Sequence, residues 1–177
     1  MVPFRKKGIN DIENIQRTFT KKIEGMEELN YHQRLKELKM YSMERRRERY
    51  VIIYGYQQLE GIKENVLKLK TSGRSGARRI QLGDVKFYGS DGVRMLPSAR
   101  TQILNSPARQ TERLYNCMPK ELREITGVTV ESFKKDLDKW LMKEVPDQPR
   151  CEGYPVAAAS NSIVDQYSHY KRVRGQR

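Results

Sequence analysis

Long apolar runs are absent from this sequence, and so are most of the residues from which catalytic centres are built. No stretch approaches the roughly 18 consecutive apolar residues of a membrane-spanning helix, so no span is expected. The 177 residues include only two cysteines, Cys117 and Cys151. They are too few for a disulfide framework and too far apart for a zinc knuckle, and they read as free thiols in a reducing compartment. The two histidines, His32 and His169, stand at no metal-ligand spacing. No two aspartates are adjacent. Asp136 and Asp138 lie two apart on an expected helix, point to nearly opposite sides, and read as solvated-face residues. The glycines at 73, 76, 89 and 92 lack the Gly-Lys-Ser/Thr of a phosphate loop. No catalytic residue, metal or cofactor is expected, which counts against a small nuclease. The start, MVPFRKKGIN, has no apolar core of a signal peptide, so an intracellular protein of cytoplasm or nucleus is expected.

What the chain has is positive charge. Lys and Arg number 35 against 22 Asp and Glu, giving a net charge of +13 and a pI near 9.8. Most of that excess lies in the first 79 residues. Such a balance favours nucleic acid or an anionic membrane surface as partner, the alternative being a solvated basic face. With 37% hydrophobic residues and a mean hydropathy of −0.84, a core forms only if the apolar residues concentrate.

They concentrate in helical stripes. Asn10 and Glu13 have the spacing of a capping box ahead of Ile12, Ile15, Phe19 and Ile23, with Arg17 and Lys21 on the opposite face and Gly25 at the end. Asn30 and Gln33 repeat the box ahead of Leu35 and Leu38. Ser42 caps a third helix that begins with Arg45, Arg46, Arg47 and Arg49 and buries Met43, Tyr50, Ile53, Tyr54 and Gln57. Gly55 or Gly61 weakens that helix.

Further on, KTSGRSGARR (70–79) reads as a basic loop. Residues 80–100 read as a small β-hairpin around Ser90-Asp91-Gly92, with Ile80, Leu82, Val85 and Phe87 pairing back onto 93–96. Ser106-Pro107 starts a helix, Pro119 opens a short turn that Gly127 ends, and Thr129 caps a stripe of Val130, Phe133, Leu137, Trp140 and Leu141. Lys134, Lys135 and Lys139 decorate its outer surface. After Pro146, Pro149 and Pro155 the polar tail is expected to be mostly disordered, with a short helix near 161–167. The expected architecture is mainly α and bundle-like: a basic three-helix segment (1–69), a loop and hairpin (70–105), C-terminal helices (106–145) and a tail (146–177).

One ordered set of residues goes further. Gln16, Arg17, Thr20, Lys21, Leu29, Tyr31, Arg34, Leu35, Leu38, Ser42, Glu44, Arg46 and Arg47 follow the order of the segment after the polymerase core in non-LTR (LINE-type, jockey-like) retrotransposon reverse transcriptases. That family has a Gln-Arg-x-x-Thr-Lys helix, a Leu-x-Tyr-x-x-Arg-Leu helix and a Ser-Leu-Glu-x-Arg-Arg helix. Met43 stands where the family usually has Leu. Pro3, Lys6, Lys7 and Ile9 resemble its lead-in. Asn116, Pro119, Phe133, Lys134, Leu137, Asp138 and Trp140 resemble its later Trp-Asn-x-Leu-Pro and Phe-Lys-x-x-Leu-Asp-x-Trp elements, with Tyr115 and Met118 in place of Trp and Leu. The resemblance covers roughly residues 3–149. It implies a thumb and C-terminal extension that grips an RNA template or RNA/DNA duplex, in a chain that starts downstream of the palm. The family's aromatic-Ala-Asp-Asp motif is missing, so RNA-directed DNA polymerase activity is not expected of this chain alone. By charge, Arg17, Lys21, Arg45, Arg46, Arg47 and Arg49 suit phosphate contacts. The tyrosines at 31, 41, 50, 54 and 56 are ordinarily core at this spacing, base stacking being the alternative. The rival reading is a helical interaction module that docks its apolar stripes on the missing palm or another partner protein.

Overall fold

A computed structural model describes residues 6–72, 78–83, 96–149 and 161–175. The described residues form eight helices and one two-stranded sheet. The order is α1 (Lys6–Lys21), α2 (Tyr31–Glu37), α3 (Met43–Leu59), β1 (Thr71–Ser72), β2 (Arg79–Ile80), α4 (Pro97–Leu104), α5 (Pro107–Cys117), α6 (Lys120–Arg123), α7 (Val130–Glu144) and α8 (Ile163–Gly175). The chain is mainly helical. It divides into two compact units, Met1–Tyr50 with Asp138–Arg177, and Val51–Leu137.

Local start signals work as expected at several helices. The Asn30 side chain accepts from the Gln33 N–H at 3.0 Å while Gln33 Oε1 accepts from the Asn30 N–H at 2.9 Å. Ser42 Oγ accepts from the Arg45 N–H, Ser106 Oγ from that of Arg109, and Thr129 Oγ1 from that of Ser132. Each satisfies an amide that a helix start leaves without an internal partner.

Several expectations change. The first helix begins at Lys6, so Asn10 lies inside it and caps nothing. The strand pair sits earlier than expected, with Thr71 opposite Ile80 and Ser72 opposite Arg79, antiparallel. Of the expected hairpin, residues 84–95 lie outside the described residues. Pro97 instead opens the helix α4, where its missing N–H costs nothing at the first helical position. Of the two glycines expected to weaken α3, Gly61 stands just past its end at Leu59 with a φ of +69°, and Gly55 does not end it. A Cβ there would stand 2.5 Å from the Thr111 methyl, so the glycine permits close approach of α3 to α5. Finally, the helix expected near 161–167 runs from Ile163 to Gly175, with Ile163 and Tyr167 buried. Residues 150–160 lie outside the described residues.

In the unit Val51–Leu137 the core is apolar. Ile52, Tyr56, Ile80, Leu114, Tyr115, Met118, Phe133 and Leu137 are buried, and the rings of Tyr56 and Phe133 stack with centroids 4.0 Å apart. Asn116 extends the small sheet by side chain: its Oδ1 accepts from the Ile80 N–H at 2.9 Å and its Nδ2 donates to Ile80 O at 2.7 Å. The buried guanidinium of Arg123 donates to the carbonyls of Met118 and Arg78. Glu60 accepts from Arg78 and from the Gly127 N–H, and Gly127 takes the left-handed φ of +68° that ends the short turn after α6.

Candidate nucleic-acid interface

The unit that carries the expected phosphate contacts is built around the first turn of α3. Three amides there need acceptors, and side chains distant in sequence supply them. Glu13 on α1 accepts from the Met43 N–H at 3.3 Å and the Glu44 N–H at 3.2 Å, and from the Tyr31 hydroxyl. Asp147 accepts from the Ser42 N–H at 2.6 Å and the Ser42 hydroxyl at 2.8 Å. Asn161 donates to Asp147 and to Ser42 Oγ. Two carboxylates thus occupy the positive end of the α3 dipole, so this helix start is filled from within.

Arg45 is part of that assembly and not of a surface. It is 0% exposed. Its Nη2 donates to Gln166 Oε1 at 2.7 Å, Asn161 O at 3.2 Å and Pro146 O at 3.4 Å. Burial pulls its pKa below the usual arginine value, opposed by Asp147, Glu48 and Glu44. Glu48, one turn on, is buried with it and accepts from the Ile163 N–H at 2.7 Å. Burial pushes the Glu48 carboxyl up, opposed by the Ile163 N–H, the Ser162 hydroxyl and Arg45. The expectation that Arg45 contacts phosphate is therefore corrected: the acceptors its guanidinium meets, on Pro146, Asn161 and Gln166, were too far along the chain for sequence spacing to place them.

Arg49 is likewise engaged. Its Nε and Nη2 meet the two oxygens of Asp138 at 2.5 and 2.7 Å, a bidentate pair, and the hydrogen bond to Asp138 raises its pKa. Tyr41 donates to the same carboxylate at 3.2 Å, and burial, then Asp138, pushes its phenol up to about 12. Asp138 is thus a partly buried anchor, not the solvated residue expected, while Asp136 is exposed. Arg17 is half-buried, donates to Asn14 Oδ1 and lies 5.0 Å over the Tyr31 ring. Lys21 is exposed at the end of α1, and Arg46 and Arg47 are half-exposed on the first turns of α3. Arg46 makes no ion pair among the described residues. Of the six expected contacts, Lys21 is exposed, Arg17, Arg46, Arg47 and Arg49 are half-exposed, and Arg45 does not reach solvent.

Sequence reasoning missed Arg34. It is buried, donates to Thr20 Oγ1 at 3.2 Å, to Arg17 O at 3.4 Å and to Leu29 O, and lies 5.7 Å from the Tyr31 ring centroid. Gln16 donates to Tyr41 O at 3.1 Å. Gln16, Thr20, Tyr31, Arg34, Ser42 and Asp138 are all hydrogen-bonding joints of this one unit. Among the tyrosines, Tyr31 and Tyr56 are buried while Tyr50, expected inside, is 66% exposed. The buried side of α3 runs through Arg45, Glu48, Ile52 and Tyr56 instead, because the buried charges set its rotation.

Among the described residues no group of three or more His, Cys, Asp or Glu is placed to hold a metal ion, and no helix is long and apolar enough to cross a membrane. Compared with known proteins, the chain matches no family model, no curated protein and no solved structure.

Proposed function

We propose that this chain is the post-palm, thumb-like portion of a non-LTR retrotransposon reverse transcriptase, and that it binds RNA or an RNA/DNA duplex through phosphates. The observation that carries the reading is the ordered motif set, from Gln16 to Arg47 and again from Asn116 to Trp140, in a chain of net charge +13. The contacts fall to the cations that reach solvent: Lys21, Arg46 and Arg47, with Arg17 at their margin. Arg45 and Arg49 hold the helices that present them. Binding of this kind is read from backbone charge and not from base edges, so it is tolerant of sequence and sensitive to salt. Chemistry belongs to the palm, which supplies the paired carboxylates for two metal ions; the purified chain is expected to extend no primer with magnesium or manganese.

The test is titration of a labelled RNA/DNA hybrid and of an RNA hairpin at several salt concentrations. A linear fall of log affinity with log salt, similar for unrelated sequences, supports the reading. Absence of binding at low salt, or primer extension by the chain alone, overturns it.

A further inference from the structure

The first helix exposes the face that its sequence pattern would bury. Ile15 is 71% exposed and Phe19 68% exposed, with Ile12 and Ile23 half-exposed beside them, whereas Glu13, Gln16 and Thr20 are buried on the other side. At 100° per residue, Ile12, Ile15 and Phe19 form one apolar stripe of α1, and Ile23 follows in the turn past Lys21. Along a single edge of it lie Asp11, Thr18 and Lys22, all exposed, the acid at one end and the base in the turn at the other.

We propose that this stripe is a homodimer seam, occupied by α1 of a second copy running antiparallel. The arrangement of charge decides the occupant and the direction. In an antiparallel helix pair the same edge of each helix faces its counterpart, with the start of one beside the end of the other. Asp11 then meets Lys22 of the second copy twice over, related by the two-fold axis. In the same register Ile15 lies across from Phe19, and Ile12 from the turn that carries Ile23. In a parallel pair each edge would meet the opposite edge of its partner, so Asp11 and Lys22 would not face each other. The self-complementary seam is what an isologous two-fold interface requires. It is small, one helix per copy, so it sits below the roughly 1,200 Å² of a standard interface and its dissociation constant is expected to be micromolar or weaker. The inference does not rest on nucleic-acid binding: either can fail while the other stands.

The experiment is sedimentation equilibrium of the full chain over a concentration series after nuclease treatment. A monomer–dimer equilibrium is expected, abolished by Ile15→Asp with Phe19→Asp. Both side chains are exposed, so circular dichroism of that variant should match the parent. Two charge variants guard against misfolding as the cause. Asp11→Lys and Lys22→Asp should each weaken self-association about tenfold, since like charges now face each other. Mixed together they should form a heterodimer at least as tight as the parent dimer, because both edge pairs are then opposite in sign. A chain that stays monomeric throughout the series overturns the proposal. So does a dimer indifferent to the stripe variant, or a mixture that fails to pair.

Discussion

Residues 1–50 with 138–177 bury Glu13, Arg34, Arg45 and Glu48, and all but Arg34 have partners far along the chain. Residues 51–137 bury one charged residue among those described, Arg123, whose guanidinium donates to backbone carbonyls, and pack mostly aromatic and aliphatic side chains around the Tyr56–Phe133 stack. The difference bears on what a basic sequence means. In the first unit several cations are structural, because a buried charge without a partner is costly and each is answered by a carboxylate or carbonyl. Net charge therefore overstates how many arginines are available to a ligand.

The contrast predicts different responses to mutation. The largest loss should come from the apolar unit: Phe133→Ala, removing a fully buried ring from a stack, should cost about 3–5 kcal/mol in chemical denaturation. Glu13→Ala should cost about 2–4 kcal/mol, because two amides of α3 and the Tyr31 hydroxyl lose their acceptor together. Glu13→Gln, which keeps an acceptor, should cost less. If Glu13→Ala were neutral, the polar joints would not be what holds the first unit. Gly55→Ala should cost about 1–3 kcal/mol by overpacking against Thr111, despite the better helix propensity of alanine.

A smaller effect separates the units by pH. Burial raises the folded pKa of Glu48, so its favourable contribution is present below the ordinary carboxylate range and is lost as pH rises through the folded value. Burial also pushes Glu60 upwards, but the Gly127 N–H and Arg78 outweigh it and leave the carboxyl below its usual value. Its contribution is present at neutral pH and lost as pH falls through the folded value. Hydrogen exchange reads both, through the Ile163 amide that Glu48 accepts and the Gly127 amide that Glu60 accepts. On acidification from neutral, protection at Gly127 should fall and that at Ile163 should hold. Equal loss at both would erase the distinction.

How far the sequence announced this fold follows from the range of each interaction. Caps act over three residues, and Asn30 with Gln33, Ser42, Ser106-Pro107 and Thr129 were all legible. So was the α7 stripe, whose Phe133, Leu137, Trp140 and Leu141 are buried as the period implies; Trp140 is 7% exposed against the edge of Tyr167. Illegible were the faces set by distant partners. Periodicity turns Ile15 and Phe19 inward on α1, yet Glu13 and Gln16 find acceptors and donors 18 to 31 positions away and turn the helix round. Arg45 was misjudged for the same reason, its partners Asn161 and Gln166 standing 116 and 121 positions off. Gly55 read as a weak point because its neighbour Thr111 is not visible from local sequence.

The division of the arginines into structural and ligand-facing ones is tested most directly by the salt dependence of RNA binding. The three proteins to compare are the parent, Arg46→Gln with Arg47→Gln, and Arg45→Gln, each corrected for its folded fraction. The arginine pair should bind all sequences more weakly and flatten the log–log salt slope by about one for each lost contact. Arg45→Gln should lower the melting temperature and leave the slope of the folded protein unchanged. A parental slope for the pair, or a flattened slope for folded Arg45→Gln, would contradict that division.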